Sequence, residues 1–93
     1  MSEWSETEPA TPDIQDMIDE LKPELERLSG TSFDHLHAVS YRMKHGSDAH
    51  TYLIKAHAPP NEFIHISLSL HGSHREVAPP QTGKTEDDPL EPY

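Results

Sequence analysis

Eight histidines stand out in this chain of 93 residues: His35, His37, His45, His50, His57, His65, His71 and His74. Imidazoles serve as general bases, metal ligands or proton-sensitive charges. A nucleophile for such a base is hard to find. There is no cysteine, so there is no thiolate, no disulfide and no Cys-based zinc site. Ser40, Ser67 and Ser69 have histidines nearby, but no Gly-x-Ser-x-Gly turn surrounds them. They read as strand residues facing solvent. His35 and His37 share a strand face, and His57 and His65 are a second candidate pair across a connection. Such pairs chelate transition metals, but spacing fixes no third ligand, and no metal or cofactor is expected. Glu86-Asp87-Asp88 and the acids of the first third read as solvated charge. The four glycines are isolated, so there is no phosphate loop. No catalytic constellation results. The reading is of a protein that is not an enzyme and works by presenting a surface.

Charge narrows the choice of partner. Seventeen acids against seven Lys+Arg give a formal charge of −10. Residues 1–28 carry −7, residues 29–74 carry 0 and residues 75–93 carry −3. Such a surface repels nucleic acid and anionic membranes. Protonation of all eight histidines would bring the charge to −2, which makes a pH-responsive role a further reading. No run approaches the ~20 apolar residues of a membrane span. The first residues, Met1-Ser2-Glu3-Trp4-Ser5-Glu6, lack the basic and apolar regions of a signal peptide, and a cytoplasmic location is expected.

The elements that must position these groups follow from periodicity. Ile14, Met17, Ile18, Leu21, Leu25 and Leu28 form one face of a helix. Thr11 is its N-cap and Pro12 its first-turn proline, and Gly30 lies just past its end. Pro23 interrupts the pattern and should bend the axis. After Phe33 the period changes to two. Leu36 to Tyr41 and Thr51 to His57 read as strands, and Phe63 to Leu70 reads most clearly, with Ile64, Ile66, Leu68 and Leu70 on one face. That face needs a cover, and the helix stripe supplies it. The expected class is α+β: one helix wrapped by a three- or four-stranded antiparallel sheet. The expected organisation is a flexible arm over residues 1–10 and one domain over 11–93. Its helix spans 11–29, its strands lie within 33–71, and a second hairpin with a C-terminal segment fills 72–93. The Pro-rich stretch from Ala78 to Lys84 is excluded from a central strand, and Leu90 with Tyr93 is a candidate short edge strand.

Several segments carry a family likeness. Pro9-Ala10-Thr11 leading to Gln15 resembles the helix start of the stefins, the cystatins without disulfides. His37-Ala38-Val39-Ser40-Tyr41 is similar to their Lys-Ala-Val-Ser-Phe strand. Tyr52-Leu53-Ile54-Lys55-Ala56-His57 is similar to Tyr-Phe-Ile-Lys-Val-His, and Phe63-Ile64-His65-Ile66 to Phe-Val-His-Leu. Gln81-Thr82, Lys84, Asp88, Leu90 and Tyr93 resemble the family's C-terminal pattern.

The resemblance implies a cystatin-like fold and a reversible, non-covalent inhibitor of papain-like cysteine proteases of the cathepsin type. Cystatins fill the active-site cleft with a wedge made of an N-terminal segment and two hairpin loops. Carried over to this chain, the wedge would be Trp4 in the arm, Lys44, His45, Gly46 and Ser47 in the first loop, and Gly72, Ser73 and His74 in the second. The chain departs from the family at these places. No glycine occurs in the first ten residues. The usual Gln-x-Val-x-Gly loop is replaced by Lys44-His45-Gly46-Ser47-Asp48, and of the second loop's usual residues only His74 matches. Weakened inhibition is therefore expected, with a non-inhibitory cystatin-fold binding module as the alternative. The expected state is a monomer.

Overall fold

The computed structural model describes residues 4–46, 49–59 and 61–91. Its helix, α1, is Pro12–Ser29. The Thr11 hydroxyl accepts a hydrogen bond from the Ile14 N–H at 3.3 Å, and Pro12 and Asp13 occupy the first turn. At the other end Gly30 adopts φ 72°, and its N–H donates to the Glu26 carbonyl at 2.9 Å. The helix runs on through Pro23, which lies on the exposed face. The donor that proline removes is therefore missing where the backbone borders solvent, not where it borders the core.

The strands are β1 (Glu8–Pro9), β2 (His37–His45), β3 (His50–Ala58), β4 (Glu62–His71), β5 (His74–Val77) and β6 (Gln81–Lys84). They form one antiparallel sheet in the order β1-β2-β3-β4-β5, and β6 also pairs with β4. Six strands exceed the three or four expected. The additional ones are short and held by backbone pairing, which apolar alternation does not report. Pro79 and Pro80 fall in the gap between β5 and β6, where no ladder hydrogen bond is needed. Leu90 forms no strand but is 3% exposed, and Tyr93 lies outside the described residues.

Ile14, Ile18, Leu21 and Leu25 of α1 pack against Ile54, Ala56, Ala58, Ile64, Ile66 and Leu68 of the sheet. Polar contacts fix the seat of the helix. The Gln15 side chain donates to the Leu36 carbonyl at 2.9 Å and accepts from the Ala38 N–H at 2.8 Å. The Glu26 carboxylate accepts from the Phe33 N–H at 2.7 Å. Strand β2 is irregular between Ala38 and Ser40, which leaves Val39 exposed at 37%.

The other sheet face is covered by the chain ends. Buried Lys55 donates to the carbonyls of Glu86 and Asp88. Arg42 donates from Nε to the Ser5 carbonyl at 3.0 Å and from Nη1 to the Leu90 carbonyl at 2.8 Å. One guanidinium thus ties both chain ends to β2.

Candidate functional site

The surface residues singled out in the sequence come together at one end of the sheet. β2 runs toward that end and β3 leaves it, then β4 returns and β5 leaves again. Both hairpin turns are therefore on the same side. Register also levels them: His45, His50, Leu70 and Arg75 lie on one cross-strand row. Gly46 and Ala49 project just past it, as do Gly72 and Ser73. Trp4 pairs with Lys44, one residue behind the row. Strands lie about 4.8 Å apart, so the two hairpins are centred about 10 Å from each other and the whole edge, arm included, spans about 19 Å.

Each tip has a local reason for its shape. Gly72 and Ser73 form a two-residue turn between paired His71 and His74. Gly72 has φ 59°, and Ser73 is not positive in φ. That combination belongs to the tight hairpin turn whose first central position favours glycine. In the first hairpin the Gly46 N–H donates to the Ala49 carbonyl at 2.7 Å. A Cβ on Gly46 would stand 3.0 Å from that oxygen, so the close approach of the two backbones favours glycine here. Ser47 lies outside the described residues.

The arm differs from its expectation. Composition pointed to a loose segment over residues 1–10, yet residues 4–10 are laid along β2. The Ser5 N–H donates to the Met43 carbonyl at 2.8 Å, and the Met43 N–H donates to the Ser5 hydroxyl at 2.9 Å. The Ala10 N–H donates to the Val39 carbonyl at 3.1 Å. Backbone pairing supplies this order without an apolar pattern. Arg42 Cζ and Lys44 Nζ each lie 5.9 Å from the centre of the Trp4 ring, a cation–π arrangement that fixes the indole beside the first hairpin.

Charges of both signs mix around the tips, where Glu76 neighbours Arg75 and Arg75 approaches Glu24 at 3.9 Å. Arg42, Lys44 and Arg75 lie on or near this end, together with four histidines, although the chain as a whole carries −10. The imidazoles fall into two pairs. His45 and His50 face the helix side and His71 and His74 the opposite side, because side chains alternate along each strand.

Of the two histidine pairs read from the sequence, His35 and His37 do lie side by side, with ring centroids 5.3 Å apart and planes tilted by 37°, whereas His57 and His65 are engaged otherwise. The His57 ring stacks on Phe63 with centroids 4.8 Å apart. His65 is 2% exposed and opposes Lys55. Burial, followed by the positive charges of Lys55 and Lys84, holds its imidazole below the usual histidine range, against an upward pull from Asp88. Among the described residues no three His, Asp or Glu side chains gather as a metal set. A shallow groove lined by Val39, His57, Asn61, Phe63 and Glu86 lies at the far end of the sheet from the hairpin tips.

Among the described residues no helix is long and apolar enough to cross a membrane. No protein-family model matches the chain. Curated relatives match it along nearly its whole length. Cystatin-A of Felis catus is 36% identical over 90 residues, covering 92% of this chain and 91% of that protein. Cystatin-A of Homo sapiens is 34% identical with the same coverage. Leukocyte cysteine proteinase inhibitor 1 of Sus scrofa is 32% identical, covering 92% of this chain and 86% of that protein. The last of these is by its name a cysteine proteinase inhibitor, the other two are cystatins, and this chain is likewise not an enzyme. A single helix clasped by an antiparallel sheet is the cystatin-like architecture, and with these relatives the chain belongs to the stefin family.

Proposed function

We propose that this chain is a reversible, non-covalent inhibitor of papain-like cysteine proteases of the cathepsin type. It acts as a cytoplasmic monomer that inserts the hairpin end of its sheet into the active-site cleft. One observation carries the reading: Trp4, the first hairpin at Lys44, His45 and Gly46, and the second at Gly72, Ser73 and His74 form a single row. Ser47 belongs to the proposed contact set from its place in the sequence. A row about 19 Å long with a pinned indole at one end is a blunt, rigid surface suited to an elongated cleft. No cleavable bond is presented and no covalent chemistry is required. The relative named as a cysteine proteinase inhibitor supplies the partner class.

A second reading is a binding module on the same scaffold that does not inhibit. It is supported by three altered segments: the arm without a glycine, the replaced Gln-x-Val-x-Gly loop, and a second loop in which only His74 matches the family. Losses of about 1–2 kcal/mol at each of three segments would weaken binding ~10²–10⁴-fold if additive. The expected inhibitor is accordingly a moderate one. Titration of papain with the full chain should give reversible inhibition. Full papain activity at high micromolar chain would overturn the proposal. Replacing Lys44–Asp48 by Gln-Val-Val-Ala-Gly should tighten inhibition by more than tenfold. Unchanged inhibition would mean that the first hairpin does not touch the protease. Affinity capture that recovers only cysteine proteases would dismiss the non-inhibitory reading.

A further inference from the structure

The two histidines that close the first hairpin are placed as a metal chelate. His45 and His50 are direct cross-strand partners, and both are exposed. Their rings stand at 89° with centroids 4.8 Å apart, and the two Nδ1 atoms are 2.9 Å from each other. Imidazole nitrogens bind first-row metal ions at about 2.0–2.1 Å. Two such bonds at a right angle separate the nitrogens by about 2.9 Å, whereas a tetrahedral angle requires about 3.3 Å. The observed separation is that of the hydrogen bond the pair makes without metal, and it lies close to the spacing of two neighbouring corners of a square-planar or tetragonal site.

We propose that His45 and His50 form a two-nitrogen site for a divalent transition metal, with Cu²⁺ the preferred ion. Square-planar and tetragonal geometry suits Cu²⁺, and nitrogen donors bind it more tightly than Zn²⁺. The Gly46 N–H to Ala49 carbonyl hydrogen bond closes the hairpin immediately beyond the pair, and β2–β3 pairing holds it from behind. The donors therefore sit on a preformed scaffold, and little ordering is needed on binding. Without metal the two Nδ1 atoms share one proton in an N–H···N hydrogen bond. Metal binding requires both lone pairs. With both rings neutral, the proton moves from that Nδ1 to the Nε2 of the same ring, and no net proton is released. The remaining coordination positions are open to water. A bound ion would also cover part of the first hairpin. That consequence rests on the function proposed above, whereas the metal site does not.

The test is titration of the full chain with CuCl₂, followed by calorimetry and by electron paramagnetic resonance. One equivalent is expected to bind with an axial spectrum showing two equivalent-type nitrogen couplings. His45→Gln and His50→Gln should each weaken that binding by more than tenfold, and the double variant should lose little more than either single. His37→Gln and His74→Gln should bind as the parent does. Zn²⁺ should bind at least tenfold more weakly than Cu²⁺. Single variants at 45 and 50 that stay within threefold of the parent would overturn the site. So would copper binding that follows His37 or His74, or tighter binding of Zn²⁺. No protease enters the measurement, so its outcome is separable from that of the inhibition assay.

Discussion

His65 is buried within a sheet face that also buries Lys55, and the two oppose each other across β3 and β4. Burial disfavours the charged imidazole, and the neighbouring Lys55 ammonium acts in the same direction. The sign of the pH effect follows. In the unfolded chain this imidazole titrates near ~6.5, whereas the folded value is lower. Between the two values the unfolded state binds more protons, so folding loses stability as pH falls below ~6.5, and above that pH the group contributes nothing. Asp88 titrates in a separate and more acidic window. The Thr85 N–H donates to it at 2.8 Å and holds its carboxyl below the usual range. His65→Phe should therefore flatten the decline of the urea midpoint between pH 6.5 and 5, whatever it does to stability at pH 7.5. Equal slopes in the parent and the variant would show that another group carries the effect. Nothing in the one-dimensional sequence separates His65 from the other histidines except its place in the clearest alternation. Lys55, its neighbour across the ladder, is ten positions away.

At the scale of elements, α1 and the three long strands were readable because each has an apolar face with its own period. The helix ends were readable because Thr11 and Gly30 are chemically suited to caps. β5 was expected only as part of a second hairpin, and β1 and β6 were not readable, since their stability comes from hydrogen bonds to β2 and β4 rather than from buried side chains. The candidate site divides along the same line. Trp4, Gly46, Gly72 and His74 were marked by likeness to a family, and topology explains why they meet. The His45–His50 pair was missed because pairing depends on the register set by the loop between them. Alternation alone suggested His35 with His37 and His57 with His65. The seat of the helix supplies the prediction at this scale. Ile18 is 0% exposed at the centre of the α1 face, whereas Val39 is displaced outward where β2 is irregular. Ile18→Ala should cost about 2–5 kcal/mol and Val39→Ala less than about 0.5 kcal/mol, read as shifts in urea midpoint at constant slope. Comparable losses would mean that Val39 is covered in solution.

Over the whole molecule the fold works against its own charge. Asp13, Asp16, Asp19 and Glu20 all lie on the exposed face of α1, and Glu86, Asp87 and Glu91 are exposed on the C-terminal segment. Arg27 and Arg75 approach the same acid, Glu24, at 3.4 and 3.9 Å. These are partly exposed pairs, and such pairs contribute little. The folded chain measures 37 × 28 × 24 Å. At 0.01 M salt the screening length is about 30 Å, so nearly every acid repels every other; at 0.15 M it is about 8 Å and only neighbours interact. Unfolding spreads the charges apart, so repulsion penalises the folded state more than the unfolded one. Salt should therefore stabilise this protein. At pH 8, raising NaCl from 0.01 to 0.15 M should lift the melting temperature by about 4–8 °C, equivalent to about 1 kcal/mol for a domain of this size. Lys44 is an exception, because it and Arg42 are close positive charges on β2 within an acidic molecule. Charge reversal at Lys44 should consequently lower the melting temperature at 0.01 M salt and have a smaller effect at 0.15 M. A melting temperature that falls with added salt would mean that attractive pairs, and not self-repulsion, dominate the electrostatics of the fold.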